Sequence, residues 1–84
     1  MLLESIDQSS REALSIPDEV EGVLVSDLLP GSPYAALMSV GMVVLEVNGQ
    51  AVTSPAELNQ QLQQGVNRLY IWSSGSKQFM VIRL

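Results

Sequence analysis

The serines are the candidate nucleophiles of this chain, and none of them has a partner that could activate it. The sequence contains no histidine, which removes the usual general base of a nucleophilic serine. It also lacks the Gly-x-Ser-x-Gly pattern that presents a serine on a sharp turn. We therefore expect no catalysis by this chain alone.

A metal site is equally disfavoured by the residue types present. Cysteine and histidine, the most frequent ligands of transition metals, are both absent. The acidic segment Asp18-Glu19-Val20-Glu21 lacks the Asp-x-Asp-x-Asp-Gly spacing of a calcium loop, so a solvated surface loop is the better interpretation. The sequence predicts neither a metal nor another cofactor.

Size and charge limit the class of protein further. The 84 residues suffice for one small domain, spanning 1–84, with a mainly aliphatic core. The net charge of −5 argues against nucleic acid and against anionic membrane surfaces as partners. No apolar run approaches the roughly 20 residues of a membrane span, and no signal peptide is visible.

The best-marked element is a short helix at positions 55–64. Ser54 is a natural N-cap, Pro55 fits the first helical position, and Glu57 completes a capping box with Ser54. Gly65 is expected to end the helix in a left-handed conformation. The apolar residues form a single stripe, consisting of Ala56, Leu58 and Leu62.

Most other segments are typical of strands. Apolar and β-branched runs predict strands at 1–6, 22–28, 42–47, 50–52, 66–72 and 77–84. Asn48-Gly49 predicts a tight hairpin between two of them. Trp72 and Tyr70, on one of these strands, are expected in the core.

Two further short helices are expected. One spans 10–15, with Ser9 and Glu12 as a capping box, Ala13 and Leu14 pointing inward, and Ile16 packed just after it. The other follows the Pro30-Gly31 turn at 33–37. The sequence thus predicts a mainly β fold, a partly open antiparallel barrel of five to six strands capped by two to three helices.

Four motifs in this order resemble a PDZ domain. They are Gly22-Val23-Leu24-Val25, Leu29-Pro30-Gly31-Ser32-Pro33-Tyr34-Ala35, Val44 to Val52 with Glu46-Val47-Asn48-Gly49 at its centre, and Ser54-x-x-Glu57-Leu58-x-x-x-Leu62. The order is similar to the bacterial, circularly permuted form found in HtrA (Do-like, Deg) serine proteases. The resemblance covers nearly the whole chain.

The resemblance implies binding of extended or C-terminal peptides, which add as a strand to a sheet edge beside a helix. The implied peptide-binding residues are Met1, Leu2, Leu3, Glu4, Ser5, Pro55, Asn59, Leu62 and Gln63. Among these, Met1, Leu3 and Leu62 would form the apolar pocket for the last ligand side chain, while Leu58 would face the core. Without the resemblance, the first strand would simply bury apolar residues, and Asn59 and Gln63 would be solvated.

Three departures from the family pattern are visible. The carboxylate-binding loop, an apolar-Gly-apolar turn, would fall just before Met1. Gly41-Met42 replaces the usual Gly-Asp, which predicts Met42 as an extra apolar group at the surface or against a partner. The groove helix carries Asn59 and several glutamines, so selectivity is expected from apolar contact and amide hydrogen bonds.

The resemblance implies a non-catalytic peptide-binding module of an exported HtrA-like serine protease, in the periplasm or cell envelope. Its partners would be extended or C-terminal segments of substrates, and neighbouring protease or PDZ domains. One alternative is a protease assembly or regulatory module with a vestigial groove, which Met42 would favour. Another is a PDZ module of an intramembrane protease or a secretion-system component.

Overall fold

The fold is an open antiparallel sheet with two helices among the described residues. The computed structural model describes residues 2–28, 31 and 38–84. The strands are β1 (Leu2–Ser5), β2 (Val23–Asp27), β3 (Val43–Val47), β4 (Gln50–Ala51), β5 (Val66–Ser73) and β6 (Ser76–Arg83), and the helices are α1 (Gln8–Leu14) and α2 (Pro55–Gln61). The sheet order is β1-β2-β3-β5-β6, with β4 paired to β3. The predicted mainly β fold is confirmed.

Some predicted features lie outside the described residues. These are Met1, most of the Leu29-Pro30 turn and the helix expected at 33–37. Gly31 is described and has a φ of 80°, which is the conformation that the third residue of a type II turn requires.

Apolar side chains form separate clusters on the two faces of the sheet. The larger cluster lies under α2 and consists of Val23, Val25, Met38, Met42, Val44, Val47, Val52, Leu58, Leu69, Ile71 and Ile82. The smaller cluster consists of Ile16, Val20, Leu24, Val43 and Trp72. Because successive strand residues point to opposite faces, β2 contributes to both clusters, which explains its continuous apolar sequence.

The first helix begins earlier than predicted. Its N-cap is Asp7, whose carboxylate accepts a hydrogen bond from the Ser10 backbone N–H at 2.8 Å. The predicted capping box of Ser9 and Glu12 is wrong, because Asp7 already satisfies the first turn and Glu12 instead accepts from the Gln8 side chain. The hydrogen bonds from Ser10 lower the pKa of Asp7 from its ordinary value, so this cap is lost only as pH falls through that lowered pKa.

The inward face of α1 also differs from the prediction. Ala13 and Leu14 are exposed, whereas Arg11 points to the protein body and its guanidinium donates to the carbonyls of Pro17 and Val20 at 2.8 and 2.9 Å. Ile16 is buried as expected. α1 is thus held to the protein body by the hydrogen bonds of Arg11 rather than by an apolar stripe.

Met42 lies in the core, so the prediction of a surface or partner contact is wrong. Its backbone N–H donates to the Ser39 carbonyl at 3.2 Å, and Gly41 between them has a φ of 97°. This tight turn, which a left-handed glycine permits, directs the Met42 side chain into the larger cluster.

The Asn48-Gly49 hairpin is confirmed, and it also contacts a third strand. Both residues have positive φ, 50° and 85°. The Asn48 backbone N–H donates to the Arg68 carbonyl at 2.7 Å, and its side-chain oxygen accepts from the Arg68 N–H at 2.9 Å. The turn is therefore attached to β5.

Of the two strand aromatics, Trp72 is buried as predicted, whereas Tyr70 is only half-buried. Tyr70 lies on the sheet face away from α2, and its ring packs beside Phe79 of the neighbouring strand.

Gly22 occupies a position that admits no side chain. A Cβ there would overlap the Val44 carbonyl oxygen and lie 2.8 Å from a Val43 methyl group. We expect Gly22→Ala to lower the free energy of unfolding by at least about 3 kcal/mol, because backbone must move to relieve the overlap. Gly75→Ala is the control: its Cβ would meet open space, and only its φ of 86° costs about 1 kcal/mol. Equal losses in chemical denaturation would contradict the proposed steric cause.

Candidate functional site

The start of α2 is fixed as the sequence predicts. Ser54 is the N-cap, and its hydroxyl accepts from the Glu57 N–H at 3.2 Å. Pro55 occupies the first turn, and the Glu57 carboxylate accepts from the Thr53 hydroxyl at 2.9 Å. These contacts set the direction in which the helix crosses the sheet.

The end of α2 differs from the prediction. The helix stops at Gln61 rather than reaching position 64, and Leu62 is already extended, with φ −70° and ψ 141°. Gly65 has a φ of 91°, but it lies in the connection to β5 and pairs with the backbone of Leu84. The prediction that Gly65 caps the helix is therefore wrong.

Asn67 explains this early end. Its side chain is fully buried, accepts from the Gln63 N–H at 2.9 Å and donates to the Gln63 carbonyl at 2.8 Å. Asn48 completes the arrangement by donating from its side chain to the Asn67 oxygen at 3.0 Å and to the Gln61 carbonyl at 3.2 Å. Side-chain amides thus replace the backbone partners that a continuing helix would supply.

Sequence reasoning missed Asn67, although a signal was present. In β5, Asn67 alternates with Leu69 and Ile71 on the face that packs under α2. A polar residue at a buried position of such an alternation must find hydrogen-bond partners nearby. That requirement could have marked Asn67 as a structural amide.

Leu58 faces the core from α2, as predicted. Leu58 is 1% exposed and belongs to the larger cluster. Pro55 is half-buried and Asn59 is exposed. Leu62, just beyond the helix, is half-buried against the same cluster. The helix is thus anchored by Leu58, while the neighbouring side chains remain accessible.

β1 is an edge of the sheet. Among the described strands it pairs only with β2, and its other side faces α2, which approaches it to within 8 Å between Cα atoms. Its register shifts between Leu2 and Leu3, and the Ser26 hydroxyl donates to the Leu2 carbonyl at 3.2 Å at this irregularity. The open side of β1 therefore has backbone groups available to a further strand.

The structure brings some of the predicted site residues together. Leu3 and Leu62 are both half-buried against the larger cluster. Leu2 is 49% exposed, and Glu4 and Ser5 are also exposed. Met1, the third predicted pocket residue, lies outside the described residues.

Gln63 is not on the helix as predicted. Its backbone is held by Asn67, and its side chain donates to the Val66 carbonyl at 3.2 Å. It therefore belongs to the turn between α2 and β5, because the helix has already ended two residues earlier.

The described residues show no group of three or more acidic, histidine or cysteine side chains that could hold a metal ion. In the same part of the chain, neither helix is long and apolar enough to cross a membrane.

The fold has a close counterpart among solved structures. A crystal structure of the HtrA3 PDZ domain bound to a phage-derived ligand (FGRWV) matches 99% of this chain and 80% of that chain, with a TM-score of 0.81 and 24% sequence identity. At this identity the likeness concerns the fold alone. No protein-family model matches the chain, and no curated protein matches it in sequence.

The two leucines of the helix region should respond differently to truncation. Leu58→Ala removes a fully buried side chain, and we expect it to lower the free energy of unfolding by about 3 kcal/mol. Leu62→Ala should cost about 1 kcal/mol, because Leu62 already contacts solvent. Urea denaturation of both variants measures this difference. A larger loss for Leu62→Ala would contradict its place at the groove.

Removal of the buried Asn67 amide should destabilise the fold more than removal of the exposed Asn59 amide. We expect Asn67→Ala to lower the free energy of unfolding by about 2 kcal/mol, because the part-buried hydrogen bonds to the Gln63 backbone are lost along with the buried side chain itself. Asn59→Ala, the same change on the exposed side of α2, should stay within about 0.5 kcal/mol of the unmodified chain. Similar unfolding midpoints for the two variants would refute the role given to Asn67.

Proposed function

We propose, from the premise that this chain has the PDZ fold, that it is a peptide-binding module. The ligand is an extended or C-terminal segment of another protein, which adds as a strand to β1 and lies between β1 and α2. The observation that carries this proposal is the open edge of β1 directly beside α2, with Leu3 and Leu62 half-buried near the junction.

The ligand's affinity comes mainly from its backbone. A strand added to β1 pairs with N–H and C=O groups that the sheet leaves free, independently of the ligand's side chains. The short, irregular β1 limits this pairing to a few residues at Leu2–Ser5. A short peptide is therefore a better fit than a long strand.

Selectivity comes from side chains that line the groove. Alternate ligand residues point towards Leu3 and Leu62, which favour an apolar group, and the Asn59 amide is free to bond a polar one. Gln63 contributes less than the sequence predicts, since its amide is engaged with the Val66 carbonyl. Selectivity for the ligand thus comes mainly from apolar contacts.

An HtrA-like serine protease is the parent that we propose for this module. The fold likeness to the HtrA3 PDZ domain supports this parent, as do the sequence motifs in their permuted order. In that setting the module is non-catalytic, the protease chemistry lies on another domain, and the location is the periplasm or cell envelope. The module would hold substrate segments or contact neighbouring protease or PDZ domains.

An assembly module with a vestigial groove is less well supported. The feature that favoured it was an exposed Met42, and this residue is buried in the larger cluster.

Peptide titration monitored by NMR tests the proposal. We expect FGRWV, added to the ¹⁵N-labelled chain, to shift amide signals of β1 and α2. The same peptide with an amidated C-terminus shows whether the free carboxylate contributes. Shifts elsewhere, or none with a wider library of C-terminal peptides, would refute a groove at this site.

A charge placed in the groove should abolish this binding. We expect Leu62→Asp to weaken peptide affinity at least about tenfold, because an apolar ligand group would then desolvate a carboxylate. Gln60→Asp adds the same charge at an exposed helix position and should bind nearly as the unmodified chain does. Unchanged affinity in Leu62→Asp, with the fold verified by its NMR spectrum, would exclude the proposed pocket.

A further inference from the structure

The β5–β6 hairpin has an outer face that points away from α2. Cross-strand pairing places Val66 opposite Arg83, Arg68 opposite Val81, and Tyr70 opposite Phe79. Residues directly opposite in an antiparallel pair share a face, so these six side chains form one surface, called here the hairpin face. The other face of the hairpin carries Leu69 and Ile71, which are buried under α2.

Large apolar groups on the hairpin face are unusually accessible. Phe79 is 63% exposed, Val81 56% and Val66 49%. Single exposed apolar residues are common on protein surfaces, but these three occupy successive rows of one strand pair. A contiguous apolar surface of this kind is typical of an interaction site.

Phe79 is held in place at the centre of this face. Its ring lies 4.6 Å from the Tyr70 ring, centroid to centroid, with a tilt of 35°. The Arg68 guanidinium carbon lies 5.4 Å from the Phe79 ring centroid on the same face. An aromatic ring fixed by two neighbours loses little entropy when a partner covers it.

Acidic and basic residues are concentrated in different parts of the sequence. Residues 58–84 contain no acidic residue and three of the four basic ones, Arg68, Lys77 and Arg83. Residues 1–57 hold all nine acidic residues and only Arg11. Lys77, opposite Trp72 in the last row of this face, lines one surface depression with Glu19, Glu21 and Glu46. Arg68 and Arg83 lie in the two rows at the other end of the face, and they are the cations that a partner would meet there.

The free edge of β6 continues this surface. Among the described strands, β6 pairs only with β5 and ends the sheet on the side opposite to β1. Pairing with a second copy is disfavoured, because an antiparallel β6–β6 pair centred on Met80 would place Lys77 opposite Arg83 twice. An acidic strand meets no such repulsion.

We propose that the hairpin face and the free edge of β6 form a second docking surface, which binds an extended, acidic segment of a partner protein. The segment pairs with the β6 backbone, its apolar side chains cover Phe79 and Val81, and its carboxylates meet Arg68 and Arg83. Because β1 and β6 are opposite edges and the two binding faces differ, a groove ligand and this segment can be bound together.

The test uses a blocked seven-residue peptide of alternating glutamate and valine, with an acetylated N-terminus and an amidated C-terminus. Titrated into the ¹⁵N-labelled chain, it should shift signals of β5 and β6 and leave those of β1 and α2 unchanged. The counterpart with lysine for glutamate should bind at least about tenfold more weakly, as local charge predicts. Equal binding of both peptides, or shifts at β1, would overturn the proposal.

A charge-matched pair of variants separates local from overall charge. Arg68→Gln with Arg83→Gln should lower the affinity for the glutamate peptide at least about tenfold, whereas Gln60→Glu with Gln61→Glu, two exposed α2 positions at the same net charge, should lower it much less. Equal losses would show that overall charge alone acts. Two other results also count against the proposal: hairpin signals that move with chain concentration, which indicate self-association, and tighter binding of anionic vesicles or an oligonucleotide.

Discussion

The candidate groove depends on one buried amide. Asn67 has no access to solvent, and its side chain takes both backbone groups of Gln63 as partners. Because Asn48 donates to the same amide oxygen and to the Gln61 carbonyl, the end of α2, the β3–β4 turn and the start of β5 are joined at one point. The position of the end of α2 over the sheet therefore depends on this point.

The capping of α2 is polar at both ends, while its middle is apolar. Ser54 and Glu57 close the first turn by local contacts, and Asn67 closes the last turn from a different strand. Leu58 between them packs into the larger cluster. A helix held at three points resists rotation about its own axis, which keeps Leu58 buried and Asn59 exposed. For the proposed peptide ligand, such a fixed helix would lower the entropy lost on binding.

The sequence was most informative where the signals are local. The Asn48-Gly49 turn, the Ser54-Pro55 start of α2, the strand pattern and the burial of Leu58 were all predictable, since each depends on a few neighbouring residues. The errors arose where tertiary contacts decide. The side chain of Asn67 ends α2 before Gly65 is reached, and Asp7 rather than Ser9 caps α1. The hydrogen bonds of Arg11 turn that side of α1 towards the protein body, so that Leu14 is exposed. Met42 was misplaced because its direction depends on a glycine turn whose geometry the sequence alone does not give.

The division of charge along the chain changes what its net charge means. The molecule measures 34 × 27 × 23 Å, whereas mobile ions screen a charge within about 8 Å at physiological ionic strength. A partner at the Arg83 end of β6 is therefore attracted by Arg68 and Arg83 far more than it is repelled by the Glu4 carboxylate of β1, at the opposite edge of the sheet. The net charge of −5 describes the protein as seen from afar, for example in electrophoresis or crystallisation. At contact range, the part of the hairpin face around Arg68 and Arg83 is basic although the whole chain is acidic, and this local sign favours an anionic partner.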